Sequence, residues 1–208
     1  MELIDALFLI IVIMFSAVIH EVMHGVAANR LGDPTARLAG RLTLNPIPHL
    51  DLFGSIILPV VLALSQSPIF FGWAKPVPYN PYNLRPGRFS EAIVAFAGPA
   101  SNLVIALIVG TILRFMDVDS VFSAILFMVV LVNVMLFLFN LIPVPPLDGS
   151  KILSALLPES LARGYNAWRD RLEANPFLGM GLVLIVILLL GSTFSSFVHT
   201  VARTIVGI

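Results

Sequence analysis

Five residues of this chain are spaced for metal chemistry: His20-Glu21-Val22-Met23-His24, an H-E-x-x-H stretch. Two histidines four apart on a helix project from one face, one turn above the other. Their ring nitrogens can then meet a single ion at about 2.0–2.1 Å, the usual Zn–N distance. Glu21 follows the first histidine directly, so it points beside the metal and not at it, which suits a general base acting on metal-activated water. The stretch closes a long apolar run, Ala6 to Ile19. A charged side chain at the bilayer centre costs about 2.5–3.5 kcal/mol on insertion scales, so such groups in a membrane helix are functional suspects. The competing reading is a proton relay or polar glue between helices, in a non-catalytic carrier or a metal-dependent scaffold.

The elements that must position these residues are mostly membrane helices. Of 208 residues, 58% are hydrophobic and 12% charged, against roughly 25% charged in soluble domains. This composition describes an integral membrane protein, and residues 1–208 are expected to form one domain. A net charge of zero without a basic block argues against nucleic acid as a partner. The absence of cysteine excludes disulfides, thiolate zinc sites and a cysteine nucleophile. Glu2 and Asp5 stand where a cleavable signal peptide needs positive charge.

The first helix is expected from about Leu3 to Arg30, ended by Gly32-Asp33-Pro34. Residues Arg37 to Asn45 alternate polar and apolar, which predicts a strand, and a second extended piece is expected at Gly72 to Asn80. Leu52 to Leu64 is apolar but too short for the roughly twenty residues a spanning helix needs, so a re-entrant segment is expected there. Further helices are expected at Glu91 to Phe115, Val121 to Asn140 and Ser150 to Leu157. Ser160 to Ala174 reads as an amphipathic helix on the membrane surface, and Phe177 to about His199 as the last span. The expected fold class is an all-α membrane protein: a bundle of about four spans plus a re-entrant segment, with a small membrane-associated β element.

A catalytic zinc site of H-E-x-x-H type takes its third protein ligand from elsewhere and leaves one position open. Asp148 is the best candidate, the only carboxylate just beyond a spanning helix in an otherwise uncharged stretch. If Leu52 to Leu64 crossed the membrane, Asp148 would emerge on the face opposite the histidines. If it turns back, both reach one face. Basic residues favour the second course: ten of the twelve then fall on one side, leaving Arg114 and Arg203 on the other. That places the metal near the cytoplasmic face. His49, in a loop on the same expected side, is a rival third ligand ranked below Asp148.

Three motifs together resemble the site-2 proteases, intramembrane zinc metalloproteases. His20-Glu21-x-x-His24 resembles the family's first motif, Gly98-Pro99-Ala100-Ser101-Asn102 its Gly-Pro-x-x-Asn motif, and Asn140-x-x-Pro143 with Asp148-Gly149 its Asn-x-x-Pro…Asp-Gly motif. The resemblance implies one zinc ion per chain held by His20, His24 and Asp148, with Glu21 as catalytic base. It implies a compact member with no inserted PDZ domain, and a transmembrane protein or peptide in the lipid bilayer as substrate. Asn140 is a second catalytic candidate, since its amide could bind the oxyanion or the substrate backbone, although it could equally satisfy loose carbonyls at a helix end. Asn102 reads as interhelical hydrogen bonding before chemistry. Asp148 could also serve as a helix cap.

Overall fold

The computed structural model describes residues 3–57, 61, 74–116 and 121–208. Its contacts divide the chain into two compact units, Met1–Leu84 and Arg85–Ile208. Among the described residues, four helices are long and apolar enough to cross a membrane: Leu7–Arg30, Ser90–Arg114, Phe122–Asn140 and Phe177–Val206.

The first unit is built on helix α1, Leu3–Arg30, followed by the four-residue helix α2, Thr35–Leu38. Asp33 ties the end of α1 to the start of α2 and to the loop around Asn80. Its fully buried carboxylate accepts from Thr35 N and Oγ1, from Asn80 N at 2.7 Å and from Asn83 Nδ2 at 3.0 Å. Burial pushes its pKa up, but these hydrogen bonds outweigh burial and hold it below the usual carboxylate value. Gly25 allows close packing beside His24. A Cβ there would stand 2.6 Å from Leu42 Cδ2 and 2.9 Å from Val77 Cγ1.

The expected β element is not there: no strand occurs among the described residues. The alternation at Arg37 to Asn45 is interrupted by Gly40, whose φ of 65° turns the chain through left-handed geometry. Of the polar positions, Arg41 then serves as an anchor, while Arg37 and Asn45 stay exposed. Arg41 is buried with Nη2 on the Lys75 carbonyl, and the Thr43 carbonyl is taken by the His49 ring. Residues 74–80 hold no regular secondary structure, and their hydrogen bonds run to side chains as well as backbone, so no ladder forms. Of the expected re-entrant segment, Leu52–Ile57 is a π-helical turn. Its remaining course, with Phe71, Gly72 and Trp73, lies outside the described residues, apart from Val61.

The second unit holds α3 (Ser90–Arg114), α4 (Val121–Asn140), α5 (Asp148–Leu156), α6 (Glu159–Glu173) and α7 (Pro176–Val206). Mostly small and β-branched side chains make its core: Ala106 of α3, Val130 and Val134 of α4, Val198, Ala202 and Val206 of α7, with Leu113 of α3 beside them. In lipid there is little hydrophobic gain from burying such groups, so close packing of small residues must hold the helices together. Gly110 is one such approach, since a Cβ there would meet Ile205 Cγ2 at 2.5 Å. An arginine at each end of α3 grips the C-terminus of another helix. Arg88, two residues before α3, donates to the carbonyls of Ala155 in the last turn of α5 and Leu157 just beyond it, and Arg114 to those of Thr204 and Ile205 in α7. Each satisfies carbonyls that the last turn leaves orphaned. Helix α7 continues past the expected end at His199. The hydroxyls of Ser196, Thr200 and Thr204 bond to carbonyls four residues back, so polar side chains do not interrupt it.

Asn102 bears out its reading as interhelical glue. Its Nδ2 donates to Asn133 Oδ1 at 2.9 Å, both side chains are fully buried, and Asn133 Nδ2 donates to the Val129 carbonyl. Asn102→Leu and Asn133→Leu are each expected to destabilise the protein by about 1–3 kcal/mol, because each leaves a buried amide without its partner. The double variant should lose less than the sum, by roughly 0.6–1.7 kcal/mol. Unfolding titrations in detergent measure that difference.

Candidate active site

His20 and His24 are both buried on α1, one turn apart. Their ring centroids lie 4.7 Å apart with the planes at 83°. Two nitrogens on one tetrahedral zinc ion at the usual bond length stand about 3.3 Å apart. Rings at this spacing can offer them, and with no cysteine in the chain the donor set is limited to nitrogen and oxygen. The residues present fit zinc.

Glu21 is half-buried between them in sequence. Its Oε2 accepts a hydrogen bond at 2.8 Å from the backbone N–H of Val77, 56 residues away. Sequence reasoning missed this partner. The proline-flanked stretch Pro76-Val77-Pro78 was the available signal, because an N–H isolated between prolines cannot serve a regular ladder.

The rival ligand His49 is accounted for otherwise. It is 1% exposed, and its Nε2 lies 3.0 Å from the Thr43 carbonyl, which can only accept, so Nε2 carries the proton. Nδ1 is then an acceptor facing Arg41 Nη2 at 3.5 Å. Both ring nitrogens are engaged in holding the loop.

Asp148 lies in the second unit and is buried. Leu147 is the N-cap of α5, so Asp148 is the first helical residue and not the cap. Its position in the first turn suits a carboxylate, since the helix dipole there favours negative charge. Gly149 explains the Asp-Gly pair: a Cβ at 149 would overlap the carbonyls of Leu141 and Ile142. Only glycine lets α5 start directly under the end of α4. The turn before it is fastened by Leu147 N to the Val144 carbonyl and by Tyr165 Oη to the Pro143 carbonyl. Asn140 is the last residue of α4, and its Nδ2 donates to the Leu136 carbonyl one turn back at 2.9 Å. An apolar cavity of about 480 Å³ lies between α3 and α5, lined by Phe89, Ile93, Phe96, Ile152 and Leu156 among others. It carries no group able to do chemistry.

Residues 116–188 match the profile of Peptidase family M50. The chain is 41% identical over 192 residues to YwhC of Bacillus subtilis, covering 86% of this chain and 80% of YwhC. The chain belongs to peptidase family M50. This is the site-2 protease family, as the three motifs imply, and the protein is a zinc metalloprotease of that family. Rip2 of Mycolicibacterium smegmatis is 30% identical over 179 residues, covering 85% of this chain and 64% of Rip2. MJ0392 of Methanocaldococcus jannaschii is 34% identical over 98 residues, 47% of this chain and 27% of that protein. MJ0392 is named a zinc metalloprotease, and YwhC and Rip2 carry that name provisionally. No solved structure matches the chain at a comparable level. The M50 profile takes in Asn140 and Asp148 but not the H-E-x-x-H of α1.

Proposed function

We propose that this M50 protease cleaves a peptide bond in or near a transmembrane helix of a membrane protein. The observation that carries the reading is the placement of the buried imidazole pair and Glu21 within a helix long and apolar enough to cross a membrane. A metalloprotease acting on soluble chains has no need to put a polar site there at the energetic cost involved. His20, His24 and Asp148 hold one zinc ion per chain in this reading, which leaves the fourth position open as catalytic zinc sites require. Bound there, zinc supplies a Lewis acid and lowers the pKa of water towards about 7. Glu21 takes the proton of the attacking water and returns it to the leaving amine. Asn140 retains an amide oxygen and its second amide hydrogen for the substrate backbone, next to the loop that leads to Asp148. The bias of basic residues supports an active site near the cytoplasmic face.

Pairing of the substrate as an added strand along Leu42 to Asn45 and Val77 to Asn80 is not part of this reading. The Val77 N–H is already given to Glu21, and the Lys75 and Pro76 carbonyls to Arg41.

The test is cleavage of a reporter with a single transmembrane helix, by purified protein in liposomes, against a soluble peptide of the same scissile sequence. The transmembrane reporter should be cut, a zinc chelator should stop cleavage, and added zinc should restore it. Cutting of the soluble peptide alone would sink the intramembrane assignment.

A further inference from the structure

The peptide unit joining Pro76 to Val77 is held from both sides. Its carbonyl, on Pro76, accepts from Arg41 Nη2 at 3.3 Å, and the same nitrogen reaches the Lys75 carbonyl at 2.9 Å. Its N–H, on Val77, donates to Glu21 Oε2 at 2.8 Å. The peptide is trans, since the one cis bond among the described residues is Pro145-Pro146, so carbonyl and N–H point to opposite sides. A guanidinium on the carbonyl polarises the amide and strengthens its N–H as a donor, the cooperative effect expected of chained hydrogen bonds. Arg41 is 8% exposed and is itself backed by His49 Nδ1.

The flanks of this peptide are tied down as well. Lys75 N donates to the His49 carbonyl at 2.8 Å, and Asn80 N to the buried carboxylate of Asp33 at 2.7 Å. Pro76 and Pro78 fix φ on either side of Val77 and have no N–H to give. A short strap is thus anchored at three points, and between the anchors it offers a single hydrogen to Glu21.

We propose that the Pro76–Val77 peptide positions the catalytic base and that Arg41 is the positioning residue that sets this peptide. Of the two carboxylate oxygens of Glu21, Oε2 is occupied by the Val77 N–H, so Oε1 accepts the proton from water and later delivers it. Fixing one oxygen removes the rotation that would otherwise exchange the two, which is the kind of pre-organisation that raises kcat and not binding. The inference rests on the reading of Glu21 as the base.

The test removes one hydrogen. Replacing Val77 by its α-hydroxy acid through nonsense suppression turns the 76–77 amide into an ester, deleting the N–H and keeping the side chain. The kcat on the transmembrane reporter should fall about 10–100-fold, the range typical of lost outer-shell partners, with KM and zinc content unchanged. Arg41→Gln should lower kcat in the same sense, Arg41→Lys should recover part of the loss, and the Val77 amide proton resonance should move upfield in Arg41→Gln. An ester variant with wild-type kcat overturns the proposal. If the ester fails to fold or loses zinc, the Arg41 pair decides. Equal losses in Arg41→Gln and Arg41→Lys, with an unmoved Val77 resonance, overturn it. Full cleavage by Glu21→Gln is a different outcome, because that removes the base assignment itself.

Discussion

Glu21→Gln is expected to abolish cleavage while zinc stays bound. The substitution is nearly isosteric, so α1 and its two buried imidazoles keep their geometry. What changes is set by Val77. Its N–H demands an acceptor at the position of Oε2, so a glutamine must turn its carbonyl oxygen towards the strap. The amide nitrogen then takes the place of Oε1. A hydrogen-bond donor stands where the attacking water needs a base, and no rotation corrects it without leaving the Val77 N–H opposed to an NH₂ group. Loss of general acid–base catalysis alone accounts for about 10²–10⁴-fold, and this misplaced donor should put the variant at the severe end. Single-turnover cleavage of the transmembrane reporter, with zinc measured on the same preparation, checks both halves. Wild-type turnover would remove Glu21 from the mechanism. Loss of zinc together with activity would make it a ligand or a structural residue instead.

How much could be seen beforehand depends on the range of the interaction involved. Helix α4 runs from Val121 to Asn140 as its long, mostly apolar run indicates, because a membrane helix satisfies its own backbone and its limits follow local composition. The H-E-x-x-H pair is equally local, since a four-residue spacing on a helix fixes the two rings relative to each other. Failures came where a local pattern had two structural solutions. The alternation from Arg37 to Asn45 suits a strand only if a neighbouring strand accepts its hydrogen bonds. Instead Gly40 turns the chain, Arg41 reaches out to the Lys75 carbonyl, and the His49 ring takes the Thr43 carbonyl. Period two alone does not distinguish these outcomes.

Asn133 was legible in principle, as an amide in the middle of a twenty-residue apolar helix that must find a partner, and its partner Asn102 lies in a motif already singled out. The Val77 contact showed only as an N–H isolated between Pro76 and Pro78, with nothing to name its acceptor. It joins residues 56 apart through a backbone hydrogen, and no side-chain type announces it. His49 shows the converse difficulty. Its residue type is right for a ligand, and only the occupation of both ring nitrogens reveals a different role.

Asp148→Asn is expected to cost the protein its zinc. The backbone around this residue is fixed by its neighbours. Gly149 lies directly under the Leu141 and Ile142 carbonyls, Ser150 Oγ bonds to the Leu147 carbonyl, and the N-cap is Leu147, so α5 should start in the same place with asparagine at its head. The chemistry of the donor set changes sharply. In the proposed ligand set, two neutral imidazoles and one carboxylate leave a single net positive charge around zinc, whereas an asparagine would leave two, in surroundings where unbalanced charge is costly. A carboxamide oxygen is also a poorer ligand for zinc than a carboxylate. Affinity should therefore fall by more than the roughly 10–100-fold typical of a lost outer-shell partner. The same loss should appear in stability. A ligand at a hundred times its Kd stabilises the folded state by about 2.7 kcal/mol. A chelator should therefore lower the Tm of the wild type and leave that of Asp148→Asn unmoved. Zinc per chain by elemental analysis, and Tm with and without chelator, measure both effects. A variant that keeps its zinc and its chelator-sensitive Tm would show that the ion's third protein ligand is another residue. His49, with both ring nitrogens already bonded, could not take that place without releasing Arg41 or Thr43.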